Sequence, residues 1–456
     1  MMSIVALGGG VFLRPGYENE QAVLSRFKLA NPEYQMAMGM RQRGKYVPVP
    51  EPHINACHRI PFDHPWGGGL AVPRKAASQM KLGEIVDVRS EPEASPVKMS
   101  AGFRLREYQQ KALQEWDRND GEGVIIAPCG AGKTAIGVAA MTRCDTKALV
   151  LVHTNDLAVQ WINRIQTMLN VEATQYGAGK KDDTGRIVVA TFQTLERMSF
   201  TERYNFGIQF GLCIVDEAHH VPAHTFCSVM FCMPARRRLG LTATPERPDG
   251  LTSILWWHFG PPVYEITNEQ LTVSGHVVAP DIEWFFTDYT GPSSHVDWSK
   301  LITHMTRDHQ RNQKILDRIL QACYDGRQIL VLSDRVDHCI WLADSLRSHT
   351  IVAEPLVGKM TKKQRTDVLQ RANDRQIQVV CATTVADEGL DLPSLDTVVL
   401  TTPTKALGRI QQRIGRVMRP HPQKKDPIVI DCVDDMGAMH GLARKRQKLY
   451  TKIGCA

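Results

Sequence analysis

Short apolar runs recur along the chain at 123–126, 148–152, 187–191, 212–215 and 239–242. Longer stretches with helical spacing separate them. Runs of this length bounded by turn residues predict strands buried on both faces, and their alternation with helices predicts a doubly wound parallel sheet over 103–250. A second series at 329–333, 351–356, 377–382, 396–400 and 427–431 predicts another sheet of the same kind, ending near 435. Between the two, residues 251–275 contain Gly260-Pro261-Pro262 and Ser274-Gly275, which suits a crossover. Segment 76–101 mixes Ser, Pro, Glu and Lys and reads as a linker. The chain is therefore expected to be α/β, with a small N-terminal α+β domain (1–100, linker included) ahead of one lobe at 101–265 and another at 266–456.

Two strings placed just after predicted strands carry the chemistry. Residues 127–134 run Ala-Pro-Cys-Gly-Ala-Gly-Lys-Thr, and 216–219 run Asp-Glu-Ala-His. Gly130 and Gly132, with Ala131 between them, let backbone N–H groups approach phosphate oxygens, and a helix starting near Lys133 points its positive end the same way. Lys133 is expected to reach the β- and γ-phosphates of ATP. Thr134 and Asp216 are the expected Mg²⁺ residues, and Glu217 the group that orients or deprotonates the attacking water. Ala127 stands where the usual pattern has its first glycine. The second lobe has no phosphate loop of its own. It carries Gln412-Arg413-Ile414-Gly415-Arg416-Val417-Met418-Arg419. If 413–419 is helical, Arg416 and Arg419 share a face and can clamp a γ-phosphate as charge builds on it; in isolation the same spacing describes a solvated face.

Composition narrows the partners only a little. At 456 residues with a net charge of +7, the chain permits nucleic-acid binding without demanding it. Eleven cysteines without a C-x-x-C pair argue for a reducing compartment over a disulfide framework. No apolar run is long enough for a membrane span, and the first ten residues lack the basic region of a secretory signal. His53, Cys57, His58 and His64 lie close together, but their spacing fits no zinc module. Arg41, Arg43 and Lys45 lie in an acid-poor stretch with Tyr34 and Tyr46, suiting either a nucleic-acid surface or a solvated loop. The same two readings stand for the basic run 444–448.

Over residues 103–440 the chain resembles superfamily 2 helicases and translocases. Leu105-Arg106-Glu107-Tyr108-Gln109 is similar to their adenine-reading segment, Leu149 to His153 with Gln160-Trp161 to motif Ia, and Ala190-Thr191-Phe192-Gln193-Thr194-Leu195 to the next nucleic-acid motif. Leu239 to Arg247, with Thr242-Ala243-Thr244, resembles motif III; Cys381-Ala382-Thr383 through Glu388-Gly389-Leu390-Asp391 resembles motif V. The strings 240–250 and 412–420 are more similar to XPB-like and UvsW-like DNA helicases than to the RNA helicases named for D-E-A-H, which have Ser-Ala-Thr at motif III. A looser likeness at 27–74 is to the small domain ahead of phage branch-migration motors.

The resemblance implies two RecA-like lobes, ATP and Mg²⁺, and 3′→5′ movement. It implies branched, forked or duplex DNA as the partner in preference to RNA, a monomer, no membrane, and a cytoplasmic setting (the bacterial host's, if phage-encoded). Its nucleotide residues would include Arg106, Gln109, Gly389 and Asp391, with Gln412 beside the arginines. Its nucleic-acid contacts would be His153, Thr191, Gln193, Arg335 and Thr383, with Arg41, Arg43 and Lys45 ahead of the motor. His219, Thr242 and Thr244 would couple the two sites. A chain starting near Ser100 would be expected to keep basal hydrolysis and to lose structure-selective binding.

Overall fold

The computed structural model describes the chain apart from residues 1–4, 16–19, 43–45, 63–67, 76–84, 129, 218–220, 222, 244–249, 276, 293–296, 384–391, 393, 405–406, 419–420, 422–423 and 456, and apart from the side chains of 5, 6, 85, 362, 408, 409, 412 and 416. It divides into two compact units, Met1–Ala127 with Gly132–Ile266, and Pro128–Ala131 with Thr267–Ala456.

The large sheet of the first unit has eight strands in the order Lys180–Lys181, Thr174–Gly177, Ile187–Thr191, Ala148–Val152, Leu212–Asp216, Arg237–Thr242, Glu122–Ile126, Pro262–Glu265. All its pairings are parallel except the Lys180–Lys181 edge. The central strands are buried along their whole length, as expected of apolar runs covered by helices on both faces. Register brings three strand ends level: Asp216 pairs with Leu241, and Thr242 with Ile126. The second unit has six parallel strands, in the order Asp281–Phe286, Ile428–Val433, Thr397–Leu400, Ile329–Leu332, Val379–Ala382, Ala353–Leu356. Within it, buried Arg311 pairs with Asp434 at 2.6 Å, and Arg446 with Asp431 at 2.7 Å.

Residues 1–100 do not form the independent domain expected from sequence. They have a five-stranded sheet of their own, His58–Ile60, Gly69–Pro73, Gly10–Leu13, Val5–Leu7, Ile85–Asp87. Yet Val11, Phe27, Leu70 and Val72 belong to one continuous apolar core with Leu149, Phe192, Phe226 and Phe231. A buried polar joint reinforces it. Arg74 donates to Gly8 O at 2.8 Å and Ala235 O at 2.9 Å and pairs with Glu122. Arg238 donates to Gly9 O at 2.5 Å and to His258 O at 3.3 Å. Close packing demands glycine here, since a Cβ on Gly9 would lie 1.9 Å from Phe231 O.

The described part of the expected linker is a strap hydrogen-bonded along the lobe. Ser90 N donates to Pro234 O at 2.9 Å, Ala94 N to Asp145 O at 3.0 Å, and Ser100 N to Met168 O at 2.8 Å. Removing residues 1–100 would uncover this core, strip buried Glu122 of Arg74 and Lys75, and cost Arg238 its bond to Gly9 O. Orphaned buried charges cost several kcal/mol each, so truncation near Ser100 does not isolate an intact motor.

Candidate functional site

The site gathers where the three level strands end. Glu122–Ile126 runs into the phosphate loop, which turns through left-handed glycines, Gly130 at φ 88° and Gly132 at φ 77°. The helix Lys133–Met141 starts directly after them, with Gly132 as its N-cap. The left-handed φ favours glycine at 132, and a Cβ there would also crowd Gln109 Nε2 at 2.5 Å. Gln109, 3 % exposed, is thereby placed against the loop, and its Oε1 accepts from Arg106 N at 3.0 Å, closing the first turn of Glu107–Arg118. Arg106 donates to the Tyr108 hydroxyl at 2.7 Å. The segment expected to read adenine thus stands beside the loop, with Gln109 held in place by its own helix. Ala131 is fully buried.

Lys133 Nζ lies 2.9 Å from Glu217 Oε1 and donates to Ala127 O at 3.3 Å. Glu217 is held in turn from the neighbouring strand end. Its N donates to Leu241 O at 2.9 Å, and its Oε2 accepts from Thr242 Oγ1 and Ala243 N, both at 3.4 Å. Its backbone is left-handed, φ 50°, a conformation that costs a non-glycine residue of order 1 kcal/mol or more and clusters at functional sites. The Thr242 contact gives the expected coupling residue a direct line to the expected base.

Asp216 is buried at the tip of Leu212–Asp216. Burial pushes its carboxyl up to about 6, with adjacent Glu217 adding to the rise; Lys133, a hydrogen bond from Trp161 and nearby His153 oppose it. Trp161 was not singled out from sequence as a site residue. Its indole Nε1 donates to Asp216 Oδ2 at 2.8 Å. Asp216 Oδ1 is buried and accepts no hydrogen bond among the described residues. A hydrophobic-looking tryptophan gives no sign in sequence of the carboxylate it serves; only the fold brings positions 161 and 216 together.

The expected nucleic-acid residues divide. Gln193 is exposed, just past the end of Ile187–Thr191. Thr191 is buried: its hydroxyl caps Phe192–Glu196 by accepting from Thr194 N at 3.3 Å, so it is a structural cap and not a surface contact. His153 lies close enough to Asp216 to act on it electrostatically. Thr383 follows Val379–Ala382 and is nearly buried, its N donating to Leu356 O at 3.3 Å. Arg335 is occupied inside its own lobe, donating to Thr303 Oγ1 at 3.1 Å and Ser299 O at 2.6 Å, which pins Trp298–Met305. A guanidinium held from several sides has fewer N–H groups to offer a phosphate.

Arg41 lies over the ring of Tyr46 at 5.9 Å, and Tyr46 is 93 % exposed. His58 stacks on Phe200 at 5.0 Å with burial lowering it to about 4, so it is a neutral packing group. Arg416 and Gln412 lie on the helix Leu407–Val417, though their side chains are outside the described residues. Arg43, Lys45, His219, Thr244, Gly389, Asp391 and Arg419 also lie outside them. Arg413, not singled out beforehand, is buried with its guanidinium 3.9 Å from Asp334.

Known proteins resemble this chain over both lobes. Residues 102–247 match the family described as type III restriction enzyme, res subunit, and 311–421 match the helicase conserved C-terminal domain. A putative ATP-dependent RNA helicase of Acanthamoeba polyphaga mimivirus is 30% identical over 385 residues, 82% of this chain and 72% of the relative. The chain belongs to the superfamily 2 helicases. Within that family it is XPB-like: the DNA 3'-5' translocase XPB2 of Sulfurisphaera tokodaii is 26% identical over 388 residues, 76% of this chain and 85% of that one. The fold is that of S. cerevisiae Dbp5 bound to RNA and ADP BeF3, with a TM-score of 0.58 at 15% identity, covering 84% of this chain and 92% of the other. Superfamily 2 membership brings nucleotide use with it.

Glu217→Gln is expected to slow single-turnover hydrolysis by on the order of 10² or more, because an amide cannot take a proton from water. The amide keeps an acceptor for Thr242 and Ala243 and releases Lys133 from its ion pair. Nucleotide affinity should therefore hold or rise. Single-turnover hydrolysis measured beside nucleotide binding checks both halves, and hydrolysis at the normal rate would move the base elsewhere.

Proposed function

We propose that this chain is an ATP-driven DNA translocase that unwinds or remodels duplex or branched DNA. The observation that carries the reading is the convergence of Lys133, Asp216, Glu217 and Thr242 at three adjacent strand ends, the last touching the base from the motif that leads toward the nucleic acid. The loop amides and Lys133 bind the phosphates, and Glu217 takes the proton of the attacking water. Mg²⁺ suits the residues present, since Asp216 offers a buried carboxylate oxygen with no partner among the described residues, and Thr134 offers a hydroxyl. When bound, the ion neutralises charge on the β- and γ-phosphate oxygens. Arg416 and Arg419 of the second lobe are proposed to complete this site as ATP reaches its transition state, so that hydrolysis alternately engages and releases the lobes.

DNA is favoured by the XPB-like motifs and by relatives named as DNA 3'-5' translocases and helicases. RNA is the competing polymer, because the mimivirus relative is named an RNA helicase. Arg41 and exposed Tyr46 offer a cation and a stacking face of the kind single strands use.

The deciding experiment measures ATP hydrolysis by the full chain with single-stranded, duplex, forked and four-way DNA and with matched RNA. Stimulation by DNA, greatest with forked or four-way substrates, is expected. Equal stimulation by plain duplex, without strand displacement, favours translocation alone. Stimulation by RNA only would overturn the DNA assignment. Nucleotide and DNA binding without any stimulated turnover would mark a nucleotide-gated clamp.

A further inference from the structure

Trp161 joins two parts of the nucleotide site that lie far apart in sequence. It sits on the helix Asn155–Leu169, is 1 % exposed, and donates from Nε1 to Asp216 Oδ2 at 2.8 Å. Its ring is seated on the phosphate-loop helix at Gly137, where a Cβ would come within 2.5 Å of the indole. An indole N–H is a donor only, with no second rotamer that turns it into an acceptor. It therefore fixes one carboxylate oxygen of Asp216, while Oδ1 stays buried without a partner among the described residues.

We propose that Trp161 is a positioning residue for the magnesium-bound nucleotide. Its N–H orients Asp216 so that Oδ1 faces the cation, and its ring ties that carboxylate to the helix carrying Lys133 and Thr134. The inference rests on the reading of Asp216 as the Mg²⁺ acid. Outer-shell donors of this kind hold a ligating oxygen in place, and their loss typically weakens metal binding by about ten- to a hundredfold. A tryptophan that merely filled the core would affect folding and nucleotide binding alike, whether or not Mg²⁺ was present.

The test uses the full chain and ADP, titrated at a series of Mg²⁺ concentrations and in EDTA. Trp161→Phe keeps an aromatic ring in the core and deletes the donor, giving up only the outer indole atoms that reach Gly137. The Mg²⁺ concentration needed for half of the tight-binding effect should rise about tenfold or more, with ADP affinity in EDTA nearly unchanged. Site-specific benzothienylalanine at 161, which puts sulfur where the N–H was and keeps the ring outline, should give the same shift even if the phenylalanine variant folds poorly. Asp216→Asn separates the two levels. If it leaves the Mg²⁺ dependence as in wild type, the assignment of Asp216 fails and the inference fails with it. If it removes that dependence while both changes at 161 leave it untouched, the inference about Trp161 alone is overturned. An equal loss of ADP affinity with and without Mg²⁺ in the 161 variants would likewise reduce Trp161 to a packing residue.

Discussion

Lys133→Ala is expected to cut steady-state ATP hydrolysis by on the order of 10³ or more. Lys133 is the side-chain cation that the loop offers to the phosphates, and at 14 % exposure its ammonium acts where water screens little. Phosphate oxygens and Glu217 compete for that same ammonium, which lies 2.9 Å from Glu217 Oε1. Alanine therefore does two things. It leaves the phosphate charge uncompensated, and it leaves Glu217 and Asp216 side by side without the cation that lowers the Asp216 carboxyl. Both effects weaken nucleotide binding as well as turnover. The change belongs to the site and not to the core, since the helix Lys133–Met141 buries Ile136, Val138, Ala139, Ala140 and Met141. Folding should survive, and a thermal melt checks it. Hydrolysis near the wild-type rate at saturating ATP would remove the phosphate-loop assignment.

The strands that build this site were legible because both faces of each are covered. A run such as Ala148–Val152 is apolar throughout, and burial of every residue is its only stable use. Edge strands gave weaker signals. Gly260-Pro261-Pro262 suits a crossover, yet Pro262–Glu265 pairs with Glu122–Ile126 through a register shift between Pro262 and Tyr264. An edge tolerates the missing N–H of proline, so the residue that argues against a strand in sequence is admissible there. The strap at 85–100 misled for a related reason. Its Ser-Pro-Glu composition resembles a solvated linker, but its backbone groups hydrogen-bond along the lobe, which composition does not record. The joint around Arg74 and Arg238 was illegible for a different cause: two arginines 164 positions apart become buried only when both sheets are assembled.

The site divides in the same way. That Lys133, Asp216 and Glu217 meet was legible because each lies in a short string directly after a strand, so local sequence carries much of the geometry. Residues assigned by motif position alone fared unevenly. Thr191 and Arg335 satisfy local caps and brackets, uses that any threonine or arginine at an element boundary can have. Trp161 shows the converse, since nothing in Gln160-Trp161-Ile162 indicates that the indole will meet Asp216, 55 residues on.

Arg416→Ala carries the second large effect, an expected loss of roughly 10³ or more in kcat with a much smaller change in ATP affinity. On the proposed mechanism the guanidinium meets the γ-phosphate only as charge builds on it, so ground-state binding gains little from it. The helix Leu407–Val417 should tolerate the change. Among the described residues Ile410, Arg413, Ile414 and Val417 are buried on it, with Arg413 directed to Asp334, and alanine is the strongest helix former available for position 416. Arg413 provides the internal contrast. Its removal would leave a buried gap and should lower stability first, whereas loss at 416 should lower catalysis at unchanged stability. Measuring kcat, ATP affinity and melting temperature for both variants separates the two roles of neighbouring arginines. If Arg416→Ala instead lost ATP affinity while kcat held, the arginine would be a ground-state binder, and completion of the site by the second lobe at the transition state would have to be abandoned.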